Sequence, residues 1–328
     1  MPKNFFVTGC DSGFGRILTS MLSSQGHHVF AGVYLDKSMD ELRSSLVTPV
    51  KIDVTDEASI QLATRAVSEV LGNTRGLDGL VNNAGILVSP GPVEWTPKSS
   101  YEKMLEVNVI GMASVTRLFL PLLRKAQGRI VNVASIAGRV GLPTQAAYCA
   151  SKFAVQGYSE VLRKEMIPWG ITVHIIEPGV FSNTGLYGTW KKGFDRNWEN
   201  LSQEVKDAYG KEHRDACWKG MSKALDGPLN NSNSNLVPEA MVDALTSDSP
   251  KYRYRVGKDS KYLITPLTWM GERVQDFAMT RGGSKNPPRT SPEDGRSVAL
   301  NRYESTSAWV YAGVVALVLW VAKSRSRL

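Results

Sequence analysis

Short apolar runs alternate with amphipathic stretches over roughly the first 180 residues of the chain. The runs are rich in Val and Ile, which is typical of strands that are buried on both faces of a sheet. The pattern predicts six strands: Phe5–Thr8, Val29–Val33, Val47–Ile52, Leu77–Asn82, Arg129–Val133 and Thr172–Ile176. It also predicts four helices: Arg16–Ser24, Glu57–Leu71, Tyr101–Arg124 and Tyr148–Met166. Strands that alternate with helices indicate an α/β fold with a doubly wound parallel sheet in a single domain.

The alternation of strands and helices ends after Pro178-Gly179. Residues 182–235 mix polar and aromatic residues. A long irregular insertion in a compact domain is usually functional or disordered, so we expect a substrate loop here. The aromatic residues of the insertion could equally pack a small helical subdomain, and both interpretations can hold: Trp190, Phe194, Trp198, Tyr209 and Trp218. Further on, Leu263–Met279 indicates a helix that packs on the core or, alternatively, rests on a membrane.

The last part of the chain has a different composition. Residues 281–306 are rich in Gly, Pro, Ser and charge, as linkers are, and residues 307–322 are apolar and uncharged. Sixteen apolar residues fall short of the roughly 20 that span a bilayer, but the basic tail 323–328 can extend toward the surface. We predict a catalytic domain over 1–280, a linker, and a C-terminal hydrophobic helix that contacts membrane lipid. A buried core helix is the alternative, and whether the segment spans the membrane stays open.

Composition excludes several classes of protein. Hydrophobic residues make up 42% of the chain and charged residues 21%, so it is neither disordered nor fibrous. Three cysteines make no disulfide framework, and neither they nor the four histidines have metal-ligand spacing, so we expect no metal. The net charge is 39 − 31 = +8, but no compact Lys/Arg run points to nucleic acid. A homo-oligomer stays open.

A glycine-rich turn joins the first predicted strand to the first helix. The spacing is G-x-x-x-G-x-G. No apolar or Arg-rich stretch precedes the first strand, so we do not expect a cleaved leader. Glycines let the backbone approach a pyrophosphate, and the start of the helix offers free N–H groups to its oxygens. The predicted cofactor contacts of this turn are Thr8, Gly9, Asp11, Ser12, Gly13, Phe14 and Gly15.

Three carboxylates refine the cofactor prediction. Asp53 follows the third strand, where its side chain can reach an adenine. Asp36 lies 36 − 15 = 21 residues after the last glycine, where an acid can bind the ribose 2′-hydroxyl, although a solvated turn residue is an equal alternative. Asp11 also places negative charge near the site of an extra phosphate. NAD is therefore the predicted cofactor, ahead of NADP.

A tyrosine and a lysine lie four residues apart at Tyr148 and Lys152, on one face of a predicted helix. A nearby ammonium favours the phenolate, so we expect the lysine to lower the tyrosine pKa toward working pH. Ser135 follows a strand 148 − 135 = 13 residues earlier and can donate a hydrogen bond to a substrate oxygen.

Together with Asn82-Asn83-Ala84-Gly85, Asn108 and Pro178-Gly179, these motifs resemble the short-chain dehydrogenase/reductase family over roughly residues 3–280. The resemblance implies a Rossmann-type fold and a catalytic tetrad of Asn108, Ser135, Tyr148 and Lys152. Tyr148 would act as the base, Ser135 would hold the substrate oxygen, Lys152 would bind the nicotinamide ribose, and Asn108 would place a relay water. Further implied cofactor contacts are Asn83, Ala84, Gly85, Tyr148, Lys152, Pro178, Gly179 and Thr184. The chain departs from the family at Asn183, where a threonine is usual, so the contact moves to Thr184 or Ser182.

Four segments narrow the resemblance within the family: TGCDSGFG, LPLLRKAQGRIVNVAS, YCASKF and SPKYRYRVGKDSKYL. They resemble the retinol and hydroxysteroid dehydrogenase branch, which implies a small lipophilic alcohol or ketone as substrate. Ala137 and residues 140–143 would continue an apolar wall. A 3-hydroxybutyrate-type dehydrogenase is the alternative, with Arg139 as a carboxylate anchor or else a structural arginine. A non-catalytic dinucleotide sensor or scaffold is the alternative of another class. The expected location is the endoplasmic reticulum membrane, with mitochondrial or peroxisomal membranes as alternatives.

Overall fold

The structure is a computed structural model that describes residues 2–227 and 230–280. Within these residues seven parallel strands form one sheet in the order β3-β2-β1-β4-β5-β6-β7. The strands are β1 Asn4–Val7, β2 His28–Val33, β3 Val47–Lys51, β4 Gly79–Asn82, β5 Arg129–Val133, β6 Thr172–Pro178 and β7 Arg253–Val256. Their order reverses direction between β1 and β4, so the predicted doubly wound parallel sheet is confirmed.

Helices cover both faces of this sheet. They are α1 Gly13–Ser24, α2 Lys37–Glu41, α3 Glu57–Leu71, α4 Lys98–Leu105, α5 Met112–Ala126, α6 Ala146–Met166, α7 Trp190–Glu199, α8 Gln203–Asp226, α9 Leu236–Thr246, α10 Thr265–Leu267 and α11 Glu272–Thr280. A π-helical turn at Glu106–Gly111 joins α4 to α5 without a break. The four predicted helices are all present, and α3 has the predicted bounds.

Two apolar layers hold the helices on the sheet. On one face, Leu18 of α1 and Leu245 of α9 pack against the strands. On the other face, Phe119 of α5 packs on Phe6 of β1, with ring centroids 4.3 Å apart. Among the described residues, the continuous helix Lys98–Ala126 is long and apolar enough to cross a membrane. Its Phe119 side packs in the second layer, so its apolar character reflects burial in the domain.

The edge strand β7 was not predicted, because arginines interrupt its apolar pattern in Arg253-Tyr254-Arg255-Val256. These arginines lie next to Glu177 on β6, a carboxylate that is 1% exposed. Arg253 forms an ion pair with this carboxylate, and Arg255 Nε lies 3.8 Å from it. A buried carboxylate needs such partners, so the charged pattern of β7 follows from one acid on its neighbour.

The insertion after β6 is helical, and the prediction that it is irregular is wrong. It contains α7 and α8, and α8 breaks at Gly210, where φ is +73°. The alternative of a helical subdomain is confirmed, since Trp95 packs against Phe194 and Trp198 with ring centroids 5.6 and 5.0 Å away. We call residues 182–235 the lid.

The core-packing interpretation of Leu263–Met279 is confirmed. Ile264, Leu267 and Val274 are buried together with Ile136 and Val140. The predicted linker, hydrophobic helix and basic tail lie outside the described residues.

Candidate active site

A cavity of about 720 Å³ opens at the carboxyl edge of the sheet, where the strand order reverses. Crevices at such switch points are where open α/β sheets bind their ligands. The cavity collects residues at the ends of six strands, β1 to β6, together with one side of the lid. Residues far apart in the chain therefore meet here because parallel strands end at one edge.

Hydrogen bonds between the segments that follow β1 and β4 fix the floor of the cavity. The Thr8 hydroxyl accepts from the backbone N–H groups of Asn83 (3.0 Å) and Ala84 (2.9 Å). In return, Asn83 Nδ2 donates to the carbonyl of Thr8 at 2.9 Å. Gly9 has φ +71°, and a Cβ there would lie 2.9 Å from Ala84 Cα, so only glycine fits. Thr8 and Gly15 hold this crosslink in place but do not line the cavity.

The start of α1 faces the cavity and fits the phosphates of a dinucleotide. Ser12, Gly13 and Phe14 line the cavity, and the Ser12 hydroxyl makes no capping bond within the helix. A Cβ added at Gly13 would meet nothing within 4 Å, so the backbone is open to a ligand at this point. Free N–H groups at a helix start attract anions.

Asp11, in the same turn, binds the backbone that follows β2. Its carboxylate accepts hydrogen bonds of 2.9 Å from the backbone N–H groups of Tyr34 and Leu35, and Asp11 and Tyr34 both line the cavity. Asp53 lines it too and accepts from Thr55 N. These contacts suit an adenosine moiety.

Asp36 is placed differently from its predicted role. Its side chain is 91% exposed, forms an ion pair with Lys51, and does not line the cavity. The physical reason is that Asp36 lies at the start of α2, where the chain has already turned away from the strand end. Tyr34, at the end of β2, lines the cavity instead.

Asn108 lies in the π-helical turn, a local distortion that frequently marks functional sites. Its Nδ2 donates to the Ile86 carbonyl and to Ser151 Oγ, both at 3.0 Å, and its Oδ1 accepts from Ile86 N at 2.8 Å. Both amide N–H groups are therefore taken by protein acceptors, and the side chain clamps the loop after β4. The implied role in placing a relay water stays a prediction.

Lys152 lines the cavity as a buried cation, and only 5% of the residue is exposed. Its Nζ donates to the Val133 carbonyl at 2.9 Å and lies 5.8 Å from the centre of the Tyr148 ring. Burial lowers the pKa of Lys152 to about 8. The ammonium is thus held beside the phenol at the end of β5.

Burial dominates the pKa of Tyr148. It raises that pKa to about 12, and the hydrogen bond with Ser135 opposes the rise. The prediction that the tyrosine pKa moves toward working pH is wrong for this arrangement, because desolvation of the phenol raises that pKa. The phenol is therefore protonated at neutral pH.

The remaining predicted contacts mostly gather at the same cavity. Its lining includes Asn83, Ala84, Gly85, Ser135, Pro178, Gly179 and Thr184. A Cβ at Gly85 would lie 3.6 Å from Lys152 Nζ, which places this glycine against the ammonium. Asn183 is directed away and donates to the Ser232 carbonyl at 2.8 Å, so Thr184 is the one that reaches the cavity.

The apolar wall comes from other residues than those predicted. Val140 is buried against the C-terminal helices, and neither Ala137 nor residues 140–143 line the cavity. The wall consists instead of residues 86–88 and 185–187. No local signal marks these segments, because the loop after β4 and the lid meet only in the folded chain. Arg139 Nε lies 3.8 Å from Glu177 Oε1, so the structural interpretation of this arginine is confirmed.

Comparison with known proteins agrees with this geometry. A family model described as short chain dehydrogenase matches residues 3–193. Retinol dehydrogenase 7 of Rattus norvegicus is 40% identical over 291 residues, which are 88% of this chain and 90% of the relative. 17-beta-hydroxysteroid dehydrogenase type 6 of Homo sapiens is 40% identical over 289 residues, 86% of this chain and 89% of the relative.

Solved structures share the fold. A short-chain dehydrogenase from Streptomyces avermitilis has a TM-score of 0.67 at 26% identity and covers 86% of this chain and 99% of its own. A short chain dehydrogenase from Burkholderia cenocepacia in complex with NADP has a TM-score of 0.64 at 24% identity, with 85% and 98% covered. From its motifs, its sheet and these relatives, the chain belongs to the short-chain dehydrogenase family.

Proposed function

We propose that the protein transfers a hydride between NAD and a primary or secondary lipophilic alcohol of the retinol or hydroxysteroid class. The observation that carries this proposal is a single cavity that joins Tyr148, Lys152 and Ser135 to an apolar wall. Apolar pockets with a few polar groups fix the orientation of lipophilic ligands. The relatives named above are a retinol and a hydroxysteroid dehydrogenase.

The polar residues have distinct roles in this proposal. Tyr148 exchanges a proton with the substrate oxygen, and the Ser135 hydroxyl holds that oxygen. A pKa of about 12 suits the phenol to give a proton to a carbonyl, and alcohol oxidation requires it to release that proton first. Lys152 places a positive charge beside the phenol and steadies the phenolate when it forms. The bound nicotinamide supplies the hydride chemistry.

The hydroxy-acid alternative has less support. A 3-hydroxybutyrate-type substrate needs a cation for its carboxylate, and the sequence offers Arg139 for this role. That arginine lies near the buried Glu177 instead and does not line the cavity.

Replacement of Tyr148 tests the proposed chemistry. We expect Tyr148→Phe to lower kcat by about 10²–10⁴-fold on retinol or a hydroxysteroid, because the phenol that moves the proton is gone. NADH binding, measured by fluorescence, should be retained. Tyr252→Phe, at a residue that is exposed on the surface, is the matched control and should keep wild-type rates.

Wild-type rates in Tyr148→Phe would contradict this role. A panel of retinoids, hydroxysteroids and 3-hydroxybutyrate, assayed with the wild-type protein, separates the substrate classes. Dinucleotide binding without turnover of any alcohol would instead favour a sensor or scaffold.

We also propose that NAD is preferred over NADP. The Asp11 carboxylate lies at the cavity, where a ribose 2′-phosphate would add like charge. Two cations near this end are paired with acids, since Arg16 NH1 lies 2.8 Å from Glu41 Oε2 and Lys51 pairs with Asp36. In this proposal Asp36 acts by neutralising Lys51, not by binding the ribose.

Cofactor choice is measured as kcat/KM for NAD and NADP at a fixed alcohol concentration. We expect NAD to be favoured in the wild type, and Asp36→Asn to shift the ratio several-fold toward NADP because it frees Lys51. Asp40→Asn, at an exposed acid of the same helix, is the control and should leave the ratio unchanged. A wild-type preference for NADP would overturn the proposal.

We further propose that residues 307–322 attach the protein to a membrane. The segment is apolar and uncharged over 16 residues, and basic residues follow it. Burial of about 0.8 kcal/mol per CH₂ makes even partial insertion favourable. The endoplasmic reticulum is the proposed membrane.

Truncation after Asn301 tests the attachment. We expect the full chain to fractionate with membranes and the truncated chain to stay in the supernatant with its dinucleotide binding intact. If the full chain stays in the supernatant without detergent, the segment is not an anchor.

A further inference from the structure

Asp259 is a buried carboxylate that the chemistry described so far does not use. It follows β7, is 3% exposed, and accepts hydrogen bonds from Val180 N (2.6 Å) and Asn231 Nδ2 (2.9 Å). Asn231 in turn donates to the Val180 carbonyl at 3.0 Å. The residue thus sits where β6, β7 and the end of the lid meet.

Within the described part of the chain, Asp259 has no ion pair. The partners named above are N–H donors, which favour the ionised carboxylate, although burial raises its pKa. No lysine, arginine or histidine nitrogen lies within 4.0 Å of it among residues 2–227 and 230–280. Glu177, the other buried acid of this region, is surrounded by arginines. Without a paired cation, the negative charge of Asp259 can act on other groups nearby.

Those surroundings include the cavity. A Cβ added at Gly179 would overlap the Asp259 carboxylate, and Gly179 lines the cavity, so only a glycine backbone separates the two. Burial raises the pKa of Tyr187, another lining residue, and the charges of Tyr148 and Asp259 add to that rise. The carboxylate is thus electrostatically coupled to the reacting end.

The reacting ring must lie at this end of the cavity, because hydride transfer requires it to face a carbon held by Tyr148 and Ser135. Gly179 and Ser135 follow the adjacent strands β6 and β5, which pair in register up to Val133 and Ile176. The oxidised nicotinamide ring carries a positive charge, and the reduced ring is neutral. A fixed negative charge behind Gly179 discriminates between these two forms.

We propose that Asp259 is a specificity-determining residue for the redox state of the dinucleotide and strengthens binding of the oxidised form relative to the reduced form. The same preference shifts the equilibrium on the enzyme toward oxidised dinucleotide and alcohol, the products of carbonyl reduction. The inference rests on the proposed placement of the reacting end, but not on the choice between NAD and NADP.

Dissociation constants of wild type and Asp259→Asn test this inference, with NAD⁺ measured by calorimetry and NADH by fluorescence. Removal of the charge should weaken NAD⁺ binding by about tenfold and change NADH binding by less than about twofold. Asn231→Ala is the matched control, because it breaks the same hydrogen-bond network and keeps the charge. It should affect both forms alike.

If Asp259→Asn does not fold, Asp259→Ser is the second variant. The serine hydroxyl carries no charge and can still accept the hydrogen bond from Val180 N. Equal weakening of both forms in either Asp259 variant would mean a structural role and overturn the inference, as would no change at all. A wild-type protein that binds neither form would overturn the proposed function as well, so the two failures are distinguishable.

Discussion

The burial of the Lys152 ammonium is the constraint around which the site is organised. A charged amine loses hydration when it is buried, and its pKa of about 8 reflects that cost. The fold tolerates it because Val133 accepts one hydrogen bond and because the neighbouring backbones approach closely. A Cβ at Gly138 would lie 2.6 Å from the Lys152 carbonyl, so the turn after Ser135 packs directly on the helix.

Two buried groups of opposite charge lie at the carboxyl edge of the sheet, on different sides of the cavity. The ammonium of Lys152 stands on the side of α6, and the carboxylate of Asp259 stands behind the turn after β6. Asn231 ties the lid to this edge, since its Nδ2 donates to the Val180 carbonyl at 3.0 Å. Within the lid, Asn230 Oδ1 accepts from Ser182 N at 3.1 Å. The lid, which forms part of the apolar wall, is therefore anchored beside Asp259.

The sequence predicts the strand ends and their polar residues well, because each lies within a short motif. Tyr148 and Lys152 need only helical spacing, and Thr8, Gly9 and Asn83 follow apolar strands directly. The parts it misses depend on contacts between distant segments. The arginines of β7 make sense only beside Glu177, and the apolar wall exists only where the lid meets the loop after β4. The pKa of Tyr148 was misjudged because burial is a property of the packed cavity, not of the motif.

The free energy of unfolding as a function of pH, compared between wild type and Lys152→Met, tests the central claim most directly. Between pH 8 and 10.5 the unfolded lysine holds a proton that the folded lysine has lost, so wild-type stability rises with pH relative to the variant. Over pH 8 to 10 the account predicts that this difference grows by about 2–3 kcal/mol, and that it is flat below pH 8. A difference that stays constant or falls across this range would contradict a buried ammonium at the centre of the site.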